Sequence, residues 1–205
     1  MNKKLFTVIL VVLLAMTCAF AYKGEIKIGL SAGAGSNNVS YDDSTNRLTG
    51  ILLGGNLTAS VHYGISDDSY VKLEAGVNTY NTGAIYINGE KYKDYDEERD
   101  PNAVFYLGYV YNMTIGSSGM FEWEIGAGLQ GIAGSNFKGN DFNLALGLGF
   151  EETFIFNITK NLALTSTTRA GIQFVNTNKD FADWLKSVNS LSIPVYFTAG
   201  VTYSL

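Results

Sequence analysis

Cysteine is almost missing from this chain: Cys18 is the only one among 205 residues. It lies in an N-terminal apolar stretch that reads as a cleaved signal, so the mature chain is expected to hold no disulfide, and a small scaffold stapled by bridges is excluded. Histidine is represented by His62 alone, and one histidine without cysteine leaves no zinc-type ligand set. Proline occurs only at positions 101 and 194. Basic residues are scarce: 14 Lys and Arg face 19 Asp and Glu, for a formal net charge of −5. Nucleic acid recognition needs a basic footprint and is not expected. After residue 21 no segment approaches the ~20 apolar residues of a spanning helix. If the chain lives in a membrane, it crosses as strands.

What is present begins with an export signal. Lys3 and Lys4 precede an apolar run from Leu5 to Met16 broken only by Thr7, and Ala19-Phe20-Ala21 is a small-x-small cleavage site. Residues 1–21 are therefore expected to be removed, leaving a domain of residues 22–205. The apolar run is short for an uncleaved anchor, and Thr17 and Ala15 fit poorly the pattern that would make Cys18 a lipoprotein attachment point. Loss of Lys3 and Lys4 takes the formal charge from −5 to −7.

The remainder divides into eight segments in which bulky apolar residues alternate with Gly, polar or charged ones, the period of a β-strand. They span 25–35, 51–65, 70–80, 103–114, 120–131, 141–156, 162–175 and 194–205. The last is the clearest. Val195, Phe197, Ala199, Val201, Tyr203 and Leu205 alternate with Tyr196, Thr198, Gly200, Thr202 and Ser204. In the seventh, Ser166 and Thr168 interrupt the apolar side. Connections 36–47, 81–102, 133–140 and 176–190 are longer than 66–69, 115–119 and 157–161, so long and short alternate around the chain. Asn88-Gly89 is the strongest hairpin signal. Its register would pair Leu73 with Val104, on opposite faces, so the expectation is a bulge or a turn confined to the loop tip.

Alternation alone does not say which face is outside; a lipocalin-type soluble barrel would bury the bulky one. Two patterns favour a membrane. The opposite face is rich in small residues with the scattered charges Glu25, Lys27, Lys72, Glu74, Glu122, Glu124, Glu151 and Arg169, a composition that suits the narrow interior of eight strands. Some of the carboxylates, being in excess, are expected to face water or sit near the rim. Aromatics also sort to the strand ends: Tyr63, Tyr109, Tyr111, Phe121, Trp123, Phe154, Phe156 and Tyr203 toward the short turns, and Phe105, Phe142 and Phe174 toward the long loops. Two such belts suit two membrane interfaces.

The chain from Tyr22 to Leu205 resembles the small eight-stranded bacterial outer-membrane β-barrels of the OmpA transmembrane-domain and OmpX type. Thr198, Gly200, Val201, Tyr203 and Leu205 resemble the C-terminal assembly signal of such barrels, although the commonest version ends in Phe. The expected fold is thus all-β, an antiparallel up-and-down transmembrane barrel closed by pairing of the last strand with the first. The resemblance implies a bacterial outer-membrane location, contact with membrane lipid and lipopolysaccharide, and assembly by the barrel-assembly machinery.

Candidate sites are few. His62 falls on the lumen face beside Ser60 and Gly64. It is expected to be structural, against the alternative of a lipid A-modifying barrel enzyme with a His-containing triad. Asp94, Asp96, Glu97, Glu98 and Asp100 form an acidic loop cluster, expected to be solvated; a weak Ca²⁺ site is the alternative. Gly29, Gly54, Gly76, Gly108, Gly126, Gly147, Gly171 and Gly200 recur once per segment at lumen positions, as close packing in a narrow barrel requires. Phe181, Trp184, Leu185 and Val188 fit a short amphipathic helix, expected to cap the barrel mouth, with a partner-binding or membrane-dipping patch as the alternative. Large Tyr80, Tyr106, Gln130 and Arg169 on the lumen face argue against a narrow channel or small-solute transporter. No cofactor and no catalytic residue are assigned. The expected role is structural or adhesive, with the four longer loops outside the cell meeting a host or surface ligand.

Overall fold

A computed structural model describes residues 25–42, 46–96, 102–135, 142–176 and 190–205. The signal segment with Ala19 and Ala21 lies outside the described residues. So do Phe181, Trp184, Leu185 and Val188, and Glu97, Glu98 and Asp100 of the acidic cluster. The described residues form nine strands: β1 (Ile26–Asp42), β2 (Arg47–Ser66), β3 (Ser69–Ile87), β4 (Glu90–Asp96), β5 (Asn102–Ser118), β6 (Phe121–Ser135), β7 (Phe142–Asn157), β8 (Leu162–Asn176) and β9 (Ser190–Ser204). Each pairs antiparallel with its sequence neighbour, except that β5 returns to β3, leaving β4 as a side branch. β9 pairs with β1 from Lys27↔Ser204 to Tyr41↔Ser190, and this ladder closes an eight-stranded up-and-down barrel.

The bulky faces point outward. Ile28, Leu57, Leu73, Leu129, Leu148 and Phe197 are exposed, while Asn56, Lys72, Glu74, Asn78, Glu151 and Gln173 are buried. A soluble barrel has the reverse polarity, so the lipocalin-type reading fails here and the belt must face hydrocarbon. Phe121, Trp123, Phe154, Tyr111 and Tyr203 are exposed toward the short turns. Phe121 stacks obliquely on Phe156 at 4.9 Å, and Trp123 lies parallel to Phe154 at 6.1 Å. Phe174 is exposed toward the other end.

Close packing accounts for inward glycines. A methyl group added to Gly76 would collide with the Leu57 carbonyl oxygen, one on Gly128 with that of Tyr109, and one on Gly147 with that of Ile172. Coiling brings the neighbouring backbone over these positions, and a Cβ has no room.

Three expectations are corrected. Residues 36–47 are not a loop throughout, because β1 continues to Asp42 and β2 begins at Arg47. Residues 81–102 likewise contain the end of β3 and all of β4. Beyond the belt both strand faces can be wet, so the alternation that marks a strand disappears there while the hydrogen-bond ladder continues. β9 begins four residues before Pro194. Pro194 faces inward between the two flanks of a gap in the β8–β9 ladder, which runs through Ala170↔Val195 and resumes at Gln173↔Ser192. Its missing N–H is thus accommodated.

The Asn88-Gly89 turn is confined to the β3–β4 tip, with φ of 51° and 86°. Both values lie in the left-handed region that a two-residue hairpin turn requires. A bulge follows at Ile85/Tyr86, and Leu73 pairs with Tyr109 rather than with Val104.

Leu129 lies near the middle of the outward belt, paired with Tyr109 and Leu148. Leu129→Arg is expected to cost about 2–4 kcal/mol of folding free energy in lipid vesicles. Tyr92→Arg, on the projecting hairpin, should cost nothing measurable; urea titration of the refolded protein distinguishes the two.

Candidate functional site in the barrel lumen

Inward charges from opposite walls meet in the middle of the barrel. Lys72 and Glu74 come from β3, and Glu151 and Arg169 from the paired positions of β7 and β8. Lys72 Nζ lies 2.5 Å from Glu151 Oε1 and 3.5 Å from Glu74 Oε2. Arg169 Nη2 donates to Glu74 Oε2 at 2.6 Å and to Glu151 Oε2 at 3.1 Å, and Arg169 Nε donates to Glu151 at 3.3 Å. Two cations and two anions alternate in a neutral, almost fully buried quartet. Both carboxylates are bridged, which offsets the desolvation that would make an unpaired buried charge untenable.

Toward the long loops, polar side chains fill the lumen above this quartet. Asn56 donates to Asn78, and Asn78 Nδ2 donates to Tyr196 Oη at 2.8 Å. Gln130 and Gln173 are buried in the same part of the lumen, and Asn112 is buried lower down, where its β5 position pairs with Tyr70 and Gly126. Higher still, Ser192 Oγ donates to Asn37 Oδ1 at 2.6 Å, and Leu52 packs inward against Val39 and Ile85. The lumen is therefore filled in successive layers.

Toward the short turns it is open. A vestibule of about 610 Å³ begins below the quartet and is lined by the turns at Met120 and Lys160 and by inward residues of the strands. His62 lies on its wall. Ser60 Oγ is 2.9 Å from His62 Nε2, and the imidazole stacks on Tyr70 at 5.0 Å, 8° from parallel. Tyr70 Oη donates to Glu124 Oε2 at 2.5 Å, and Asn157 Nδ2 donates to Glu122 Oε1 at 2.6 Å. Among the described residues no carboxylate hydrogen-bonds the His62 ring, so Ser60 and His62 form a pair without the orienting acid of a nucleophilic triad.

The predicted positions divide cleanly. Of the eight lumen-face charges, four form the quartet; Glu124 is buried in the vestibule wall, and Glu122 lies beside it. Glu25 and Lys27 sit at the rim, 3.9 Å apart. The expectation that surplus carboxylates lie toward the rim is met by Glu25. Gln130 and Arg169 do fill the lumen, whereas the side chains of Tyr80 and Tyr106 lie outside the described residues. Asp94 and Asp96 fall on β4. In the terminal pattern Thr198 faces inward, Val201, Tyr203 and Leu205 face the belt, and Gly200 pairs with Ser31 and Thr165. Tyr70 was missed as a lumen residue because it opens a strand next to a turn; its parity with Lys72 was the available signal. Glu152 was missed too. It points outward, where Trp123 Nε1 donates to it at 2.9 Å.

No family model matches the chain, and no curated protein sequence matches it. Among solved structures it is similar to Neisserial surface protein A, at 16% identity and a TM-score of 0.52, over 86% of this chain and 96% of that one. It is also similar to the outer membrane protein OprG from Pseudomonas aeruginosa, at 12% identity and a TM-score of 0.55, over 89% and 96%. At such identities the likeness concerns fold.

Arg169→Met leaves Lys72 as the one cation of the quartet. It is expected to cost about 3–5 kcal/mol, the scale for breaking a buried ion network from one side. Arg169→Met combined with Glu151→Gln restores formal neutrality and should recover part of that loss in the same urea titration. The outward apolar belt, the polar filled lumen and the closed eight-strand ladder together make this chain a transmembrane β-barrel of the bacterial outer-membrane type.

Proposed function

We propose that the barrel has no enzymatic activity and serves at the cell surface, in a structural or adhesive role, through its four longer connections. One observation carries this reading: the wall projects on the long-connection side. β2 and β3 have 20 and 19 residues, against 15 in β6, β8 and β9. At its top β3 is flanked by β2 and β4, and no described strand pairs with the outer edge of β4. Tyr92 on β4 is 67% exposed. A sheet edge with an exposed aromatic is suited to contact with another molecule.

Outer-membrane barrels place their short turns in the periplasm, so the projecting wall belongs outside the cell. The proposal includes export by residues 1–21 with cleavage after Ala21. It also includes recognition of Thr198, Gly200, Val201, Tyr203 and Leu205 by the barrel-assembly machinery, and contact of the outer wall with lipopolysaccharide. The alternative of a channel is disfavoured by the quartet and the layers above it. The alternative of a lipid A-modifying enzyme is disfavoured because His62 faces the lumen below the quartet, away from the outer leaflet.

Replacing residues 82–96 with a short turn should leave the barrel heat-modifiable on gels. It should reduce adhesion of displaying bacteria to surfaces coated with extracellular-matrix protein. Planar bilayers containing the intact barrel should show no sustained conductance. Unchanged adhesion after shortening all four long connections, or a large reproducible conductance, would overturn the reading.

A further inference from the structure

We propose that the periplasmic vestibule is a binding site for a small hydroxylated amine. The inference is independent of the surface role and rests on the asymmetry of the cavity walls. The volume of about 610 Å³ corresponds to roughly twenty water molecules at ~30 Å³ each, so a solute of a dozen heavy atoms fits. The cavity is blind, because the Lys72, Glu74, Glu151 and Arg169 quartet forms its floor.

One wall is anionic. Glu122 and Glu124 occupy successive inward positions of β6, and both line the cavity. Glu124 is only 2% exposed. The hydrogen bonds they receive come from neutral donors, Asn157 and Tyr70. Among the described residues neither carboxylate has a cation within ion-pair distance. The quartet shows the contrast: there each buried carboxylate is held by both Lys72 and Arg169. A buried carboxylate in that position is relieved by a proton or by a positive partner, and an open cavity lets the partner be a solute.

Another wall carries hydroxyls. Thr165, Thr167, Thr198 and Thr202 from β8 and β9 line the same cavity. Thr202 is 9% exposed, and no described residue hydrogen-bonds its hydroxyl. That side chain is an unused donor and acceptor directed at the space. An ammonium group set against Glu122 and Glu124, with hydroxyls reaching the threonines, satisfies both walls at once. A metal ion satisfies them less well, since no group of three or more His, Cys, Asp or Glu among the described residues is arranged to hold one. An ammonium asks for two or three hydrogen-bond acceptors and no coordination sphere.

The test uses the full barrel refolded in detergent, with glucosamine as probe and glucose, the same skeleton without the charge, as control. Isothermal titration calorimetry at neutral pH should show glucosamine binding more tightly than glucose. Glu122→Gln with Glu124→Gln keeps the Asn157 and Tyr70 contacts and should weaken glucosamine about tenfold, the scale of one charge-assisted hydrogen bond. Thr202→Val should weaken it severalfold, and heat modifiability on gels confirms that each variant is folded. Equal affinity for glucose and glucosamine would overturn the proposal. So would binding indifferent to both variants, or stoichiometric Mg²⁺ binding that displaces the amine.

Discussion

The structure depends on one constraint: within hydrocarbon every backbone N–H and C=O must find a partner inside the protein. An open sheet cannot meet it, because each edge strand leaves a row of unpaired groups. The β1–β9 ladder from Lys27↔Ser204 to Tyr41↔Ser190 meets it by removing the edges. The backbone of the terminal residue also takes part, with Leu205 N–H donating to the Ile26 carbonyl at 2.9 Å. Closure then fixes everything else. The outward face meets lipid and must be apolar, and the inward face is left with a volume too narrow for bulky residues on all strands.

The lumen resolves that crowding in two ways. Where neighbouring backbone approaches most closely, as over Gly128 and Gly147, no side chain is tolerated. In the space so conserved, long side chains from other strands cross the barrel axis. Glycine at 149 makes room in the same sense for Gln130, whose side chain occupies the position a Cβ would take. Small residues at one inward position and long polar ones at another, as at Gly128 and Gln130 of β6, are thus two halves of one packing solution. The quartet is its electrostatic counterpart, since Lys72 and Glu74 of β3 meet Glu151 and Arg169 of β7 and β8 only after closure brings the opposite walls together.

Much of this was legible in the chain. Period-two alternation put Lys72, Glu74, Glu151 and Arg169 on one face and Leu129, Leu148 and Phe197 on the other, because in a membrane barrel side-chain parity and environment coincide. The partners within the quartet were not legible. Which residue of β3 faces which residue of β8 depends on the stagger accumulated around the ring, and no local pattern encodes it. The upper parts of β1, β2 and β3 were read as loops for a related reason: above the belt, water contacts both faces and the hydrophobic signal vanishes. Local shifts added to this. The β2–β3 register changes between Leu53 and Gly54, leaving Asn81 as an extra residue, so parity counted up β3 fails beyond it. Ile85 shows the result: an odd-numbered residue of β3 like the outward Leu73, it packs inward against Leu52.

Glu152 shows the limit of polarity rules on the outer face. It lies opposite Ile125 and Thr168, one outward position above the girdle residue Phe154, where apolar side chains predominate. Trp123 Nε1 donates to it, and the outward positions of β8 beside it are Ser166 and Thr168 rather than aliphatic residues. The weak apolar pattern of β8 therefore has a structural counterpart. An outward carboxylate costs less when an indole N–H and neighbouring hydroxyls replace part of its hydration, and less near an interface than at the midplane. The same logic governs both sides of the wall. A polar group is admitted where the closed ladder can place a partner next to it, and the quartet inside and the Trp123–Glu152 pair outside are two instances of that rule at different depths.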